Sequence, residues 1–160
     1  MPLPQINDPI EDFTLKDQDG DPVSLSEFKK TPVVLFFLPR ADSAACTIEA
    51  CGFRDIYAKF KQSGITVYGI SRDTIRDLRD FKLKHTLPYD LLSDPELELI
   101  NRFDLLKSKF IQGKPATSVK RTTFLIARAD TEGKQRLFHI FESVTPAGHA
   151  EEVFNLLRWG

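Results

Sequence analysis

Cysteine is scarce in this chain: 160 residues hold only two, Cys46 and Cys51. Two cysteines cannot staple a disulfide-built scaffold, and without nearby histidines they fall short of the four ligands of a structural zinc site. His85, His139 and His149 are scattered and read as surface or core residues. An excess of one charge is also missing. Lys and Arg number 22 against 23 Asp and Glu, a net charge of −1, which leaves no electrostatic footprint for nucleic acid. No apolar run approaches the roughly 18 residues of a membrane span. The opening Met1-Pro-Leu-Pro-Gln5 has neither the basic nor the apolar region of a secretory signal. The cytoplasm is the expected compartment, and there a cysteine pair serves catalysis or metal binding more often than structure. Repeats and low-complexity segments are absent as well. A single domain over 1–160 is expected, large enough to bury a core without staples.

What the chain does have is a regular alternation of elements. Phe13-Thr-Leu15, a turn at Asp17–Asp21 and Pro22-Val-Ser24 predict an N-terminal hairpin. Leu25–Lys30 reads as a short helical turn. Val33–Leu38 is an apolar run predicting a buried strand, and a helix follows over Ala44–Gln62, with Gly64 as its stop. Ile65–Ile70 is the next strand. Asp73 is the expected N-cap of a helix to His85, whose Arg72–Asp80 charges read as a solvated face. Pro88–Leu92 is a short strand. Asp94-Pro95 predicts N-cap plus first-turn proline for a helix to Phe103. Leu105–Val119 reads as a loop. Thr122–Ala127 and Arg136–Phe141 form a second hairpin around Asp130–Gly133. Thr145-Pro146 signals the start of a last helix carrying Val153, Leu156, Leu157 and Trp159. A βαβ alternation closed by an antiparallel hairpin predicts an α/β protein: a mixed central sheet flanked by helices, of thioredoxin-like fold.

Cys46 stands where the apolar strand hands over to the first long helix. Free backbone N–H groups and the helix dipole favour an anion there, and a thiolate is the nucleophilic form of cysteine. Cys51 follows five positions on. A dithiol reductase of the thioredoxin type would carry Cys-x-x-Cys, and the spacing here is Cys-x-x-x-x-Cys. Read from the residues alone, Ser43 is a helix cap, Glu49 a solvated helix residue, Arg121 a strand arginine and Cys51 a small core residue.

The blocks Asp12–Gly20, Val33–Arg40, Cys46-Thr-Ile-Glu-Ala-Cys-Gly-Phe-Arg-Asp55, Gly69–Asp73, Leu87–Asp94 and Arg121–Ile126 together resemble a peroxiredoxin of the PrxQ, or bacterioferritin comigratory protein, type. The likeness runs from about Asp12 to the C-terminus. The family pattern Pro-x-x-x-(Thr/Ser)-x-x-Cys falls on Pro39, Ser43 and Cys46, and its arginine on Arg121. By this resemblance Cys46 is the peroxidatic cysteine and Cys51 the resolving one, with Glu49 orienting Arg121. Phe37 and Phe53 are candidates to line a peroxide pocket. Two stretches depart from the family: the usual Thr-Pro-Gly-Cys reads Ser43-Ala44-Ala45-Cys46, and Lys107–Val119 lacks the Gly/Trp-rich composition often found there.

The resemblance implies a thiol peroxidase. The Cys46 thiolate attacks the peroxide to give a sulfenic acid, and Cys51 closes a disulfide. Thioredoxin or a similar dithiol then reduces it. No metal or organic cofactor is required, no nucleic-acid or membrane partner is expected, and a monomer is expected. Two alternatives stay open: a redox sensor using the same cysteine pair, and a one-cysteine peroxidase in which Cys51 is structural.

Overall fold

The computed structural model describes residues 3–158; Trp159, expected on the last helix, lies outside them. The elements run β1 (Thr14–Asp17), β2 (Pro22–Ser24), a 3-10 turn (Leu25–Phe28), β3 (Val33–Phe37), α1 (Ala44–Gln62), β4 (Thr66–Ser71), α2 (Ile75–His85), β5 (Asp90–Ser93) and α3 (Glu98–Arg102). β6 (Leu106–Ile111), β7 (Lys114–Val119), β8 (Thr122–Ile126), β9 (Leu137–Phe141) and α4 (His149–Arg158) complete the chain. Seven strands form one sheet in the order β2-β1-β5-β4-β3-β8-β9. β3 pairs parallel to β4, and β4 to β5, while β8 runs antiparallel to β3. This is the expected thioredoxin-like mixed sheet. No helix among the described residues is long and apolar enough to cross a membrane.

β3 explains why both sheet faces are covered. All five of its residues are buried, and alternation sends neighbours to opposite faces. Val34 and Phe36 join the core under α1, α2 and α4, with Phe53, Phe60, Leu78, Phe81 and Val153. Val33, Leu35 and Phe37 join a second core, with Phe13, Leu99, Phe103 and Phe124. At the centre, β4 passes so close to its neighbours that only glycine fits at position 69. A Cβ there would stand 2.8 Å from both the Phe36 ring and a Leu91 methyl. Phe36 is fully buried and cannot step aside, so Gly69→Ala is expected to cost about 1–3 kcal/mol by overpacking. A urea midpoint equal to wild type would refute this.

Four expectations about element ends need correction. Leu105–Val119 is no loop but a two-stranded hairpin, turning at Gln112 and Gly113 with φ of 52° and 76°. Most of its residues are exposed and only Val119 is buried, so no buried face imprints a hydrophobic alternation on them. The cap of α2 is Thr74, whose hydroxyl accepts from the Asp77 amide, not Asp73. Asp94 does serve α3, yet from outside it: its carboxylate accepts from the amides of Glu98, Leu99 and Ile100. Pro95 lies in the intervening turn. The last helix starts at His149 rather than after Thr145-Pro146. His149 is buried, bonded to Thr123 Oγ1 at 2.8 Å and Glu152 Oε1 at 2.9 Å. Burial lowers its pKa.

Candidate active site

Helix α1 begins at the carboxyl end of the central strand β3, and its first turn presents Cys46. Ser43 is the N-cap, its Oγ accepting from the Cys46 amide at 3.3 Å. Among the described residues the hydroxyl donates no hydrogen bond of its own. Ala44 takes the first helical position, one that suits proline. The short loop from Pro39 to Ser43 is pinned from two sides. The Ala41 amide donates to Asp73 Oδ2 at 2.7 Å, and that oxygen also accepts from Ser71 Oγ at 2.7 Å. Asp42, at φ 66°, pairs with Lys84 at 3.0 Å. The loop's course thus depends on Asp73, a role its place in the sequence did not disclose.

Cys46 is wholly buried and unpaired. Arg121 reaches it from the segment just before β8, not from within the strand. Its Nη1 lies 3.5 Å from Cys46 Sγ and 3.4 Å from Glu49 Oε1. The contact with sulfur is of ordinary N–H···S length, whereas the one with Glu49 is long for N–H···O, so there the guanidinium acts through charge more than through a tight hydrogen bond. One cation therefore bridges a thiol and a carboxyl that lie one helical turn apart on α1. Ser43, Cys46, Glu49 and Arg121, which lie up to 78 positions apart in the chain, meet in one place. Pro39 lies two residues past the end of β3, half-buried, at the start of the loop that leads to Ser43.

Glu49 is the electrostatic oddity of the site. It is 1% exposed, and its Oε2 finds no hydrogen-bond partner among the described residues. Burial pushes its carboxyl from 4.5 up to about 7, against the pull of Arg121. The folded state therefore holds this proton to higher pH than the unfolded chain does, so stability falls as pH rises from about 4.5 through 7. The loss amounts to about 3 kcal/mol above that window. Glu49→Gln carries no such titration. The stability difference between variant and wild type is expected to shift in the variant's favour by about 3 kcal/mol from pH 4.5 to pH 8. Urea unfolding across that range reads it, and parallel profiles would refute it.

The aromatic candidates separate. Phe37 lies in the second core, edge-on to Phe124 and Phe103 at centroid distances of 5.6 and 6.0 Å. It belongs to the core on the opposite side of the sheet from the one that holds Cys46. The reason is strand parity: Phe36, not Phe37, points to Cys46's face. Phe53 shares that face but is fully buried, stacked on Phe36 at 4.4 Å. Cys51 is half-buried on the first part of α1, ahead of a kink at Ile56, and is a free thiol. A cluster of acidic oxygens, from Asp17, Asp19 and Asp21, sits in the β1–β2 turn. There Asp17 Oδ1 already accepts from the Asp19 and Asp21 amides, which accounts for it as turn structure.

A buried cysteine at a helix start, faced by a guanidinium on a thioredoxin-like sheet, can hold a thiolate and stabilise an oxyanion beside it. A sequence model described as the AhpC/TSA family matches residues 6–131, and the chain belongs to that family. Within it, the chain is similar to the peroxiredoxins called Bcp and Q. It is 36% identical over 146 residues to peroxiredoxin Bcp of Escherichia coli, covering 91% of this chain and 90% of that one. Among solved structures, peroxidoxin BcpB of Mycobacterium tuberculosis matches with a TM-score of 0.84 at 34% identity, over 98% of this chain and 97% of that one. The bacterioferritin comigratory protein of Xanthomonas campestris, described with alkyl peroxide reduction activity, matches at 0.83 and 26% identity, over 92% and 90%.

Proposed function

We propose that the chain is a two-cysteine peroxidase that reduces hydrogen peroxide and organic hydroperoxides. The observation carrying this reading is the contact between Arg121 Nη1 and the buried Cys46 sulfur at 3.5 Å. The Cys46 thiolate attacks one oxygen of ROOH. An S–O bond forms, the O–O bond breaks, and the sulfur is oxidised to sulfenic acid while RO⁻ leaves and takes a proton. Charge growing on the leaving oxygen falls near Arg121 and the Ser43 hydroxyl. Pro39 shields the thiolate from water, and Glu49 holds the guanidinium. The Cys51 thiol then displaces the sulfenic hydroxyl, giving a Cys46–Cys51 disulfide and water. Thioredoxin or a similar dithiol carrier returns both thiols.

The test is titration of the reduced protein with stoichiometric hydrogen peroxide, read by intact mass and free-thiol count. Loss of both thiols with a mass decrease of about two hydrogens supports the reading. A gain of oxygen with one thiol left points to the one-cysteine alternative. No reaction overturns the peroxidase assignment altogether.

A further inference from the structure

Closing the disulfide requires α1 to open between its two cysteines, and two side chains tie that same stretch to the rest of the molecule. Tyr89 Oη donates to the Ala50 carbonyl, the residue before Cys51, at 2.6 Å. One turn on, Arg54 Nη1 donates to the His85 carbonyl at the end of α2, at 3.0 Å. Neither side chain bonds to Cys46, and each lies within electrostatic reach of Cys51.

The Tyr89 donor is rigidly mounted. The residue is 2% exposed. Its ring meets Phe36 edge-on at 5.6 Å and Tyr57 at 5.8 Å. Its own carbonyl accepts from Lys82 Nζ at 2.9 Å. A hydroxyl held this firmly by α2 and the start of β5 grips a helix that must yield. Ala50 O is a helical carbonyl with a second lone pair to offer, so the bond adds to the helix rather than replacing a rung.

We propose that Tyr89, seconded by Arg54, is a latch that sets how readily the Cys51 turn of α1 unwinds, and so how long the Cys46 sulfenic acid survives. The inference rests on the two-cysteine reading above. While the latch is closed, the sulfenic acid meets a second peroxide and is oxidised to sulfinic acid, with a second peroxide bond broken. Once it opens, the Cys51 thiol attacks, the S–S bond forms and water leaves. The latch therefore fixes the peroxide concentration at which the enzyme is lost to overoxidation.

Tyr89→Phe removes one oxygen and keeps the ring packing. Losing a single buried hydrogen bond of ordinary strength makes the opened form about fivefold more populated. Reduced wild type and variant are mixed with hydrogen peroxide, quenched with a thiol-blocking reagent at intervals, and weighed intact. The expected result is an unchanged rate of sulfenic acid formation, disulfide formation about fivefold faster, and less sulfinic acid at a fixed peroxide excess. Disulfide formation at the wild-type rate or slower overturns the latch, as does an equal change in both steps. A wild type that forms no disulfide at all overturns the two-cysteine reading instead, which keeps the two failures apart. Should Tyr89→Phe not fold, Arg54→Lys gives the same readout, keeping a cation beside Cys51 while losing the planar fork on His85 O. Faster disulfide formation supports the latch there, and an unchanged rate overturns it.

Discussion

Replacing Arg121 by Ala is expected to slow the reaction of Cys46 with peroxide by about 10²- to 10³-fold, the usual loss when one preorganised donor to a developing oxyanion is removed. On the proposed reading the guanidinium acts twice. In the ground state it is the full positive charge within 3.5 Å of the sulfur. In the transition state it is the donor placed where the O–O bond breaks. Its side chain is only 16% exposed, so water screens little of its field. The fold should survive the change, because Glu49 loses its acid-strengthening partner and keeps its proton, leaving no bare charge in the core. Arg121→Lys keeps the charge without the fork and should fall between the two. Rapid-quench mass analysis of the first oxidation step reads all three proteins. A variant rate within a fewfold of wild type would sink the role given to Arg121.

The legible and illegible parts of this molecule divide by what each residue's partner is. The span of α1 matches its expected bounds because Ser43 caps it and apolar residues recur along one face, all local signals. The buried strand β3 was equally plain, and its parity alone would have ruled out Phe37 as a neighbour of Cys46. The β6–β7 hairpin leaves no hydrophobic pattern in the sequence because it buries little. Arg121 stands 75 positions from Cys46, and nothing in spacing or periodicity joins them; only the family likeness did. Asp73 and Tyr89 were illegible for another reason. Their partners are backbone groups, the Ala41 amide and the Ala50 carbonyl, and a backbone group carries no sequence identity to match. An aspartate before a helix signals a local cap, because capping is its commonest use there.

Cys51→Ser separates the two-cysteine peroxidase from its rivals most sharply. The variant is expected to consume the first equivalent of peroxide at the wild-type rate and then stop. Supplied with thioredoxin, its reductase and NADPH, it should oxidise no NADPH above the blank, while wild type turns over continuously. Cys51 lies five residues beyond Cys46 on a helix that runs unbroken through both. Five helical residues rise about 7.5 Å and rotate about 140°, whereas a disulfide needs Cα atoms within about 7 Å and converging side chains. The folded helix thus keeps the two thiols apart, and on the proposed reading only an oxidised Cys46 together with an opened turn lets them join. In the variant the sulfenic acid has no neighbour to resolve it and should accumulate, then pass to sulfinic acid as peroxide is raised. Turnover that persists in Cys51→Ser would make Cys51 a structural residue and an external thiol the resolving agent. A wild type that forms its disulfide but sustains only slow turnover would favour the redox sensor, with the opened helix as its signal.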